Sequence, residues 1–254
     1  MKLKYGLIGY PLGHSFSKTY FTEKFAAEGI QAFYDLYPLH DINQLKKLLE
    51  STPNLHGLNV TIPFKKDIIR FLDEITPEAA SIGAVNTISI RHDGNSFRLK
   101  GWNTDAPAFE AEIKRFTANQ TGNAMVLGNG GASAAACYVL AKLGWKITIV
   151  TRKPEISDES CILYSAVSDR KMKSTHLIVN TTPVGMYPRT DELPPLPVGN
   201  LNENHLVFDM VYNPEITRLM ATAAEKGAKT CNGLGMLHRQ ADLSWKIWTE
   251  SDGR

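Results

Sequence analysis

Val126-Leu127-Gly128-Asn129-Gly130-Gly131-Ala132-Ser133 carries a short apolar run through three glycines into a stretch rich in alanine. Read as strand, turn and helix, it puts glycines where the backbone must turn tightly and let a ligand approach a helix N-terminus. Free N–H groups and the positive end of the helix dipole make that point a seat for a pyrophosphate. The glycines alone are also consistent with a plain strand-to-helix connection, and Ser133 stands where a third glycine is usual. The neighbourhood favours the ligand. Strand-like runs at 124–127, 146–150, 176–180 and 205–209 alternate with helical stretches, the first expected over 132–143. Short apolar strands separated by helices imply a parallel sheet covered on both faces, hence a doubly wound, Rossmann-like α/β domain.

An NAD-binding unit presents Asp or Glu to the ribose hydroxyls at the end of the second strand. This chain has Thr151-Arg152-Lys153 there. Two cations without an adjacent acid suit a 2′-phosphate, so NADP is the expected cofactor. The alternative is a pair of solvated loop charges, with Glu155 close by. Asn180-Thr181-Thr182-Pro183-Val184-Gly185-Met186 leaves the third strand at the same sheet edge, where the nicotinamide half belongs.

Working toward the N-terminus, strand-like runs at 3–9, 31–39, 58–62 and 84–90 alternate with helical patterns at 18–29, 41–51 and 64–72, a second α/β series. Asp41 with Gln44 forms a capping-box pattern, and Gly29 closes the helix before it. Runs 88–91 and 96–100 flank Asp93-Gly94, a hairpin signal. An amphipathic helix is expected over 105–116, and the proline-rich stretch 193–197 reads as a surface loop. Within this first series, Asn59-Val60-Thr61-Ile62-Pro63-Phe64-Lys65 ends a strand with an amide, a hydroxyl and an ammonium. Asn59 and Thr61 share a face, with Val60 and Ile62 expected on the buried one. Pro63 should start the helix and put Lys65 in its first turn, where a cation is disfavoured by a few tenths of a kcal/mol. Lys65 is therefore either a solvated surface residue or a functional one. Ser15 and Ser17, in a glycine- and proline-rich loop, fit either a carboxylate site or a helix cap. Asn86 adds a carboxamide, and Asp105 is an N-cap or an acid.

The bulk properties narrow the class. Lys and Arg total 28 against 26 Asp and Glu, so no electrostatic footprint for nucleic acid or an acidic membrane surface exists. A small-molecule partner is expected. Cys137, Cys161 and Cys231 are odd in number and widely spaced, unlike a disulfide framework or metal cluster, which leaves no metal expected and fits a cytoplasmic setting. No apolar run reaches the ~18 residues of a membrane span.

Taken together, Gly9-Tyr-Pro-Leu-Gly-His14-Ser15-Phe-Ser17, Asn59 to Lys65, Gly83-Ala-Val-Asn86-Thr87, Asn103-Thr104-Asp105, Gly128 to Ser133 and Asn180 to Met186 resemble the shikimate dehydrogenases. Asp209-Met210-Val-Tyr212-Asn-Pro and Asn232-Gly233-Leu-Gly-Met-Leu-His-Arg-Gln240-Ala complete the resemblance, which spans nearly the whole chain. It implies reversible reduction of 3-dehydroshikimate by NADPH in the aromatic amino-acid pathway, with Lys65 and Asp105 as the catalytic pair. Ser15, Ser17, Asn59, Thr61, Asn86, Tyr212 and Gln240 would surround the substrate. Gly128, Asn129, Gly130, Gly131, Ala132, Ser133, Thr151, Arg152, Lys153, Thr181, Thr182, Met186, Met210 and Gly233 would hold the cofactor. The implied architecture is a substrate domain over 1–103, completed by 233–254, an NADP domain over 104–232, and an active-site cleft between them in a monomer or homodimer. Two rivals stay open, a quinate/shikimate dehydrogenase using NAD and a non-catalytic ligand sensor.

Overall fold

The computed structural model describes residues 2–13, 15–94, 96–153 and 160–251, the last without its side chain. His14 of the serine loop, Asn95 of the hairpin turn and Pro154 and Glu155 after Lys153 lie outside the described residues. The chain forms two compact units, one made of the chain up to Thr104 together with that from Gln240 onward, the other of Asp105–Arg239.

The first unit holds strands β1 (Leu3–Gly9), β2 (Ala32–Pro38), β3 (Leu55–Val60), β4 (Glu74–Ile75), β5 (Thr87–Asp93) and β6 (Ser96–Trp102) in the order β2-β1-β3-β5-β6-β4. Strand β1 runs parallel to β2 and β3, whereas β3 with β5 and β5 with β6 are antiparallel. The expected hairpin forms, with Gly94 at φ 58°, and it turns an otherwise parallel series into a mixed sheet. Helices α1 (Phe16–Ala27), α2 (Leu45–Ser51) and α3 (Pro77–Ile82) complete this part of the chain. Alternation along β1 sends Tyr5 and Leu7 into one cluster, with Phe21, Phe25, Tyr34 and Trp248, and Ile8 into another, with Leu58, Val60 and Ile88. Asp41 and Gln44 do form a capping box, ahead of a short 3₁₀ turn that leads into α2.

Two expectations around Pro63 are corrected. Ile62 is 57% exposed, because β3 ends at Val60 and the alternation that would bury Ile62 ends with it. No α-helix covers 64–72; Phe64 N–H closes a turn on Thr61 O at 3.0 Å, and a 3₁₀ helix runs over Asp67–Phe71. Rising about 2.0 Å per residue against 1.5 Å, the 3₁₀ form carries the chain further toward β4 while Phe64 and Ile68 still reach the core.

The second unit is the expected doubly wound domain. Strands β7 (Asn123–Leu127), β8 (Lys146–Thr151), β9 (Cys161–Leu163), β10 (Leu177–Asn180), β11 (Leu206–Asp209) and β12 (Lys229–Asn232) pair in the order β12-β11-β10-β7-β8-β9, all parallel. Helices α4 (Asp105–Thr117), α5 (Gly131–Lys142), α6 (Asp169–Lys173) and α7 (Arg218–Glu225) belong here, and α8 (Leu234–Ser251) begins here and continues into the first unit. Short β9 and β12 escaped the sequence reading: β9 has three residues, and β12, Lys-Thr-Cys-Asn, lacks the apolar run that marks the equally short β10 and β11. The proline-rich stretch 193–197 is less superficial than expected: Leu196 is buried and Leu193 packs beside it against Met125, Ile178 and Val207. Among the described residues, no helix is long and apolar enough to cross a membrane.

Candidate active site

In the second unit the chain order reverses between β7 and β10, and ligands of doubly wound sheets bind at the carboxyl ends of the strands flanking such a switch. The glycine turn lies there. Gly128 has φ 108°, and a Cβ on it would meet Thr181 Oγ1 at 2.9 Å and Thr182 Cγ2 at 3.0 Å. Thr181 in turn donates its hydroxyl to Leu127 O at 2.6 Å, so the turns after β7 and β10 lock together. Ser133, 2% exposed, donates to Gly128 O at 2.8 Å; the serine in place of the third glycine closes the turn from within. A Cβ on Gly130, the N-cap of α5, would meet nothing within 4 Å, so the space over that helix start is clear for phosphate oxygens. These features fit a dinucleotide.

The other cofactor candidates leave the same sheet edge. Thr151 ends β8, its hydroxyl accepting from Lys153 N–H at 3.4 Å, and Arg152 and Lys153 are both exposed. Burial pushes the Tyr164 phenol up, and the Arg152 charge partly offsets that. Thr182 is fixed by Asn180, whose Oδ1 accepts its N–H at 3.1 Å and its hydroxyl at 2.7 Å. Met210 follows β11 and donates its N–H to Asn180 O at 2.9 Å, while a Cβ on Gly233 would sit 2.2 Å from Met210 O. Beneath them lies Asp209, fully buried and bonded to Asn180 Nδ2, Val211 N–H and Thr217 Oγ1. Burial pushes its carboxyl up to about 6, against the lowering effect of those three donors. Tyr212, half-buried in the same unit, has its phenol raised by burial, which makes it a weaker acid.

The first unit assembles most of the expected substrate residues. The loops after β1 and β3 run side by side, with Tyr10 N–H on Ile62 O at 3.0 Å and Thr61 N–H on Ile8 O at 2.9 Å. A Cβ on Gly9 would lie 2.4 Å from Thr61 Cγ2, so only glycine permits this approach. Ser15 occupies the N-cap of α1, yet its hydroxyl makes no capping bond, which argues against the simple cap. Ser17 hydrogen-bonds the buried Tyr34 phenol, and that phenol donates to Asn59 Oδ1 at 2.8 Å. Asn59 points to the face of Tyr5 and Leu7, and its Nδ2 lies 2.9 Å from Ser244 Oγ, 3.2 Å from Thr87 Oγ1 and 3.3 Å from Asn86 O. An amide nitrogen has two hydrogens, so this Nδ2 is committed to the protein. Ser244 donates to Gln240 O at 2.9 Å, which ties half-buried Gln240 to the same group. Thr87, Thr104, Tyr34 and Ser244 were not singled out from sequence; the usable signal was spacing, since Ser244 follows Gln240 by four on α8 and Thr87 follows Asn86 directly.

Lys65 lies half-buried in the turn before the 3₁₀ helix, and its carbonyl accepts from Val85 N–H at 2.7 Å. Asp105, 5% exposed, opens the first turn of α4 in the second unit. Among the described residues no cluster of three or more His, Cys, Asp or Glu could hold a metal ion.

Residues 7–88 match the model of the shikimate dehydrogenase substrate binding domain. A shikimate dehydrogenase (NADP(+)) of Methanococcus maripaludis is 37% identical over 263 residues, 96% of this chain and 90% of that protein. Another, from Carboxydothermus hydrogenoformans, is 36% identical over 259 residues with the same coverage. Among solved structures, a Thermus thermophilus shikimate 5-dehydrogenase in complex with NADP(H) and shikimate superposes with a TM-score of 0.82 at 32% identity, covering 98% of this chain and 94% of that one. The doubly wound sheet and its glycine turn, joined to a mixed α/β unit, define a dinucleotide-dependent oxidoreductase, and the relatives above make it NADP-dependent. With relatives above one-third identity aligned over nearly all of it, the chain belongs to the shikimate dehydrogenase family.

Proposed function

We propose that this protein catalyses the reversible NADPH-dependent reduction of 3-dehydroshikimate to shikimate, in the cytoplasm, as a step toward chorismate and the aromatic amino acids. The unit containing β1–β6 binds substrate and the unit containing β7–β12 binds cofactor. Ser15 and Ser17 take the carboxylate, and Asn59, Thr61, Asn86, Tyr212 and Gln240 surround the ring. The reduced nicotinamide, when bound, supplies a hydride to the carbonyl carbon. Negative charge then develops on the carbonyl oxygen, and Lys65 Nζ stabilises it and delivers the proton that completes the hydroxyl. In the reverse direction the amine removes that proton, with Asp105 as its partner in the catalytic pair. Cofactor choice is assigned to Arg152 and Lys153, whose exposed cations suit a 2′-phosphate.

The observation that carries this reading is the match over 96% of the chain to relatives bearing that activity in their names, with Lys65 and Asp105 in the expected motifs. The test follows absorbance of the reduced nicotinamide with 3-dehydroshikimate, first with NADPH and then with NADH, and with quinate in reverse, tried with NADP and with NAD. Loss of absorbance with NADPH far faster than with NADH supports the proposal. A preference for NADH and quinate would favour the quinate-using rival, and no turnover with any pair would favour a sensor.

A further inference from the structure

We infer that Asn180 is a positioning residue for Thr182, and that the turn after β10 thereby offers hydrogen-bond acceptors to the nicotinamide half of the cofactor. The inference rests on the cofactor role proposed above for the unit containing β7–β12 and adds which atoms shape this part of it. Asn180 closes β10, the strand between β7 and β11, and is fully buried. Its Nδ2 donates to Asp209 Oδ1 at 2.9 Å and to Val184 O at 3.3 Å. Its Oδ1 accepts the Thr182 N–H at 3.1 Å and the Thr182 hydroxyl at 2.7 Å. Two hydrogens and two lone pairs are all that a carboxamide has, so every one is used within this unit. A carbonyl only accepts and a peptide N–H only donates. Nδ2 must therefore face Val184 and Oδ1 must face Thr182, which leaves the amide one workable orientation.

That orientation decides what the two threonines have left to offer. The Thr182 hydroxyl gives its hydrogen to Asn180 and accepts the Val184 N–H at 3.3 Å, so one acceptor lone pair remains. The Thr181 hydroxyl gives its hydrogen to Leu127 O at 2.6 Å, so it too keeps only acceptor capacity. Neither has a hydrogen left for a phosphate oxygen. Both suit the hydrogens of a ribose hydroxyl or a carboxamide, and the nicotinamide half of the cofactor carries both groups. The phosphates are served instead by the N–H groups at the glycine turn and the start of α5. The main chain is held at the same place, with Thr181 N–H on Leu127 O at 3.1 Å and Met210 N–H on Asn180 O at 2.9 Å. Asn180 touches no ligand in this scheme, and its contribution is geometric.

Asn180→Leu keeps the approximate size and removes the amide; Asn180→Ser, too short to bridge both partners, is the milder second variant should leucine fail to fold. Binding of NADPH to the full chain is titrated by fluorescence, and binding of adenosine 2′,5′-bisphosphate by calorimetry. The latter carries the adenosine and 2′-phosphate of the cofactor but lacks its nicotinamide half. The expected result in each variant is a dissociation constant about tenfold or more higher for NADPH and within about twofold of the parent for the fragment. KM should divide in the same way, rising for NADPH and staying within about twofold for 3-dehydroshikimate. In a Thr182→Val background Asn180→Leu should cost less than about threefold more, because the hydroxyl it holds is already gone. Unchanged NADPH affinity in both variants overturns the inference. So does an equal loss for NADPH and the fragment, which marks a general loosening of the unit, and so does a loss undiminished beside Thr182→Val. Failure of the unmodified protein to bind either compound is a separate result, which removes the cofactor reading itself and this role with it.

Discussion

Gly57→Ala is the smallest substitution with a large expected effect. Gly57 lies in β3 directly under the indole of Trp248, and a Cβ there would sit 2.2 Å from Nε1 and 2.5 Å from both Cδ1 and Cε2. Contacts below 3.0 Å are not tolerated, so the ring must move. It cannot move freely, because Trp248 is 1% exposed, stacks on Tyr5 at 4.8 Å and donates Nε1–H to Ile88 O at 2.9 Å. Overpacking of this kind costs about 1–3 kcal/mol, and a buried donor pulled off its acceptor costs about 1–3 kcal/mol more. We expect about 3 kcal/mol in total, which in a chain of this size lowers Tm by roughly 6–12 °C. Equilibrium urea unfolding followed by circular dichroism measures it. Trp248→Phe, which removes the Nε1 group, should relieve part of the clash, so the double variant must be less destabilised than the two single costs added together. A Gly57→Ala protein within about 0.5 kcal/mol of the parent, or strict additivity with Trp248→Phe, would refute the packing argument.

The remaining expectations concern charge and cofactor. Asp209 has a folded-state value of about 6 against an ordinary 3.8, so the folded state binds its proton more tightly than the unfolded state does. Its contribution is fully present below pH 4 and is lost as pH rises through 6, by about 3 kcal/mol in all. In Asp209→Asn that slope should vanish, and unfolding free energies of parent and variant measured from pH 4 to pH 7.5 should converge or cross; parallel profiles would contradict the assignment. Arg152→Ala with Lys153→Ala should raise KM for NADPH about tenfold or more and leave KM for NADH within about twofold, since only the 2′-phosphate loses partners; equal changes for both would make these residues ordinary loop charges.

Much of the second unit was legible because its signals are local. A glycine turn between an apolar strand and an alanine-rich helix has few other solutions, and β7, β10 and β11 are short continuous apolar runs of the kind a sheet buried on both faces accommodates. The antiparallel hairpin of the first unit was equally plain from Asp93-Gly94. What escaped was set by tertiary contacts. Strand β12 gains its place by pairing with β11, not by its own pattern. The run after Pro63 looked helical by spacing, but reaching β4 favoured the longer-rise 3₁₀ coil. Asn59 and Asn86 stood out as polar residues beside an apolar strand, yet their partners Tyr34, Thr104 and Ser244 lie 18 to 185 residues away in sequence and carry no motif that marks them.

The claim on which the rest depends is that Lys65 donates the proton. The direct measurement is kcat and KM of Lys65→Met with NADPH and 3-dehydroshikimate, a substitution that keeps the length of the side chain and removes its charge. We expect kcat lower by about 100-fold or more with substrate KM changed less than about threefold, as for a group that acts chiefly in the transition state. A kcat equal to that of the unmodified protein would contradict the assignment of Lys65 as the acid.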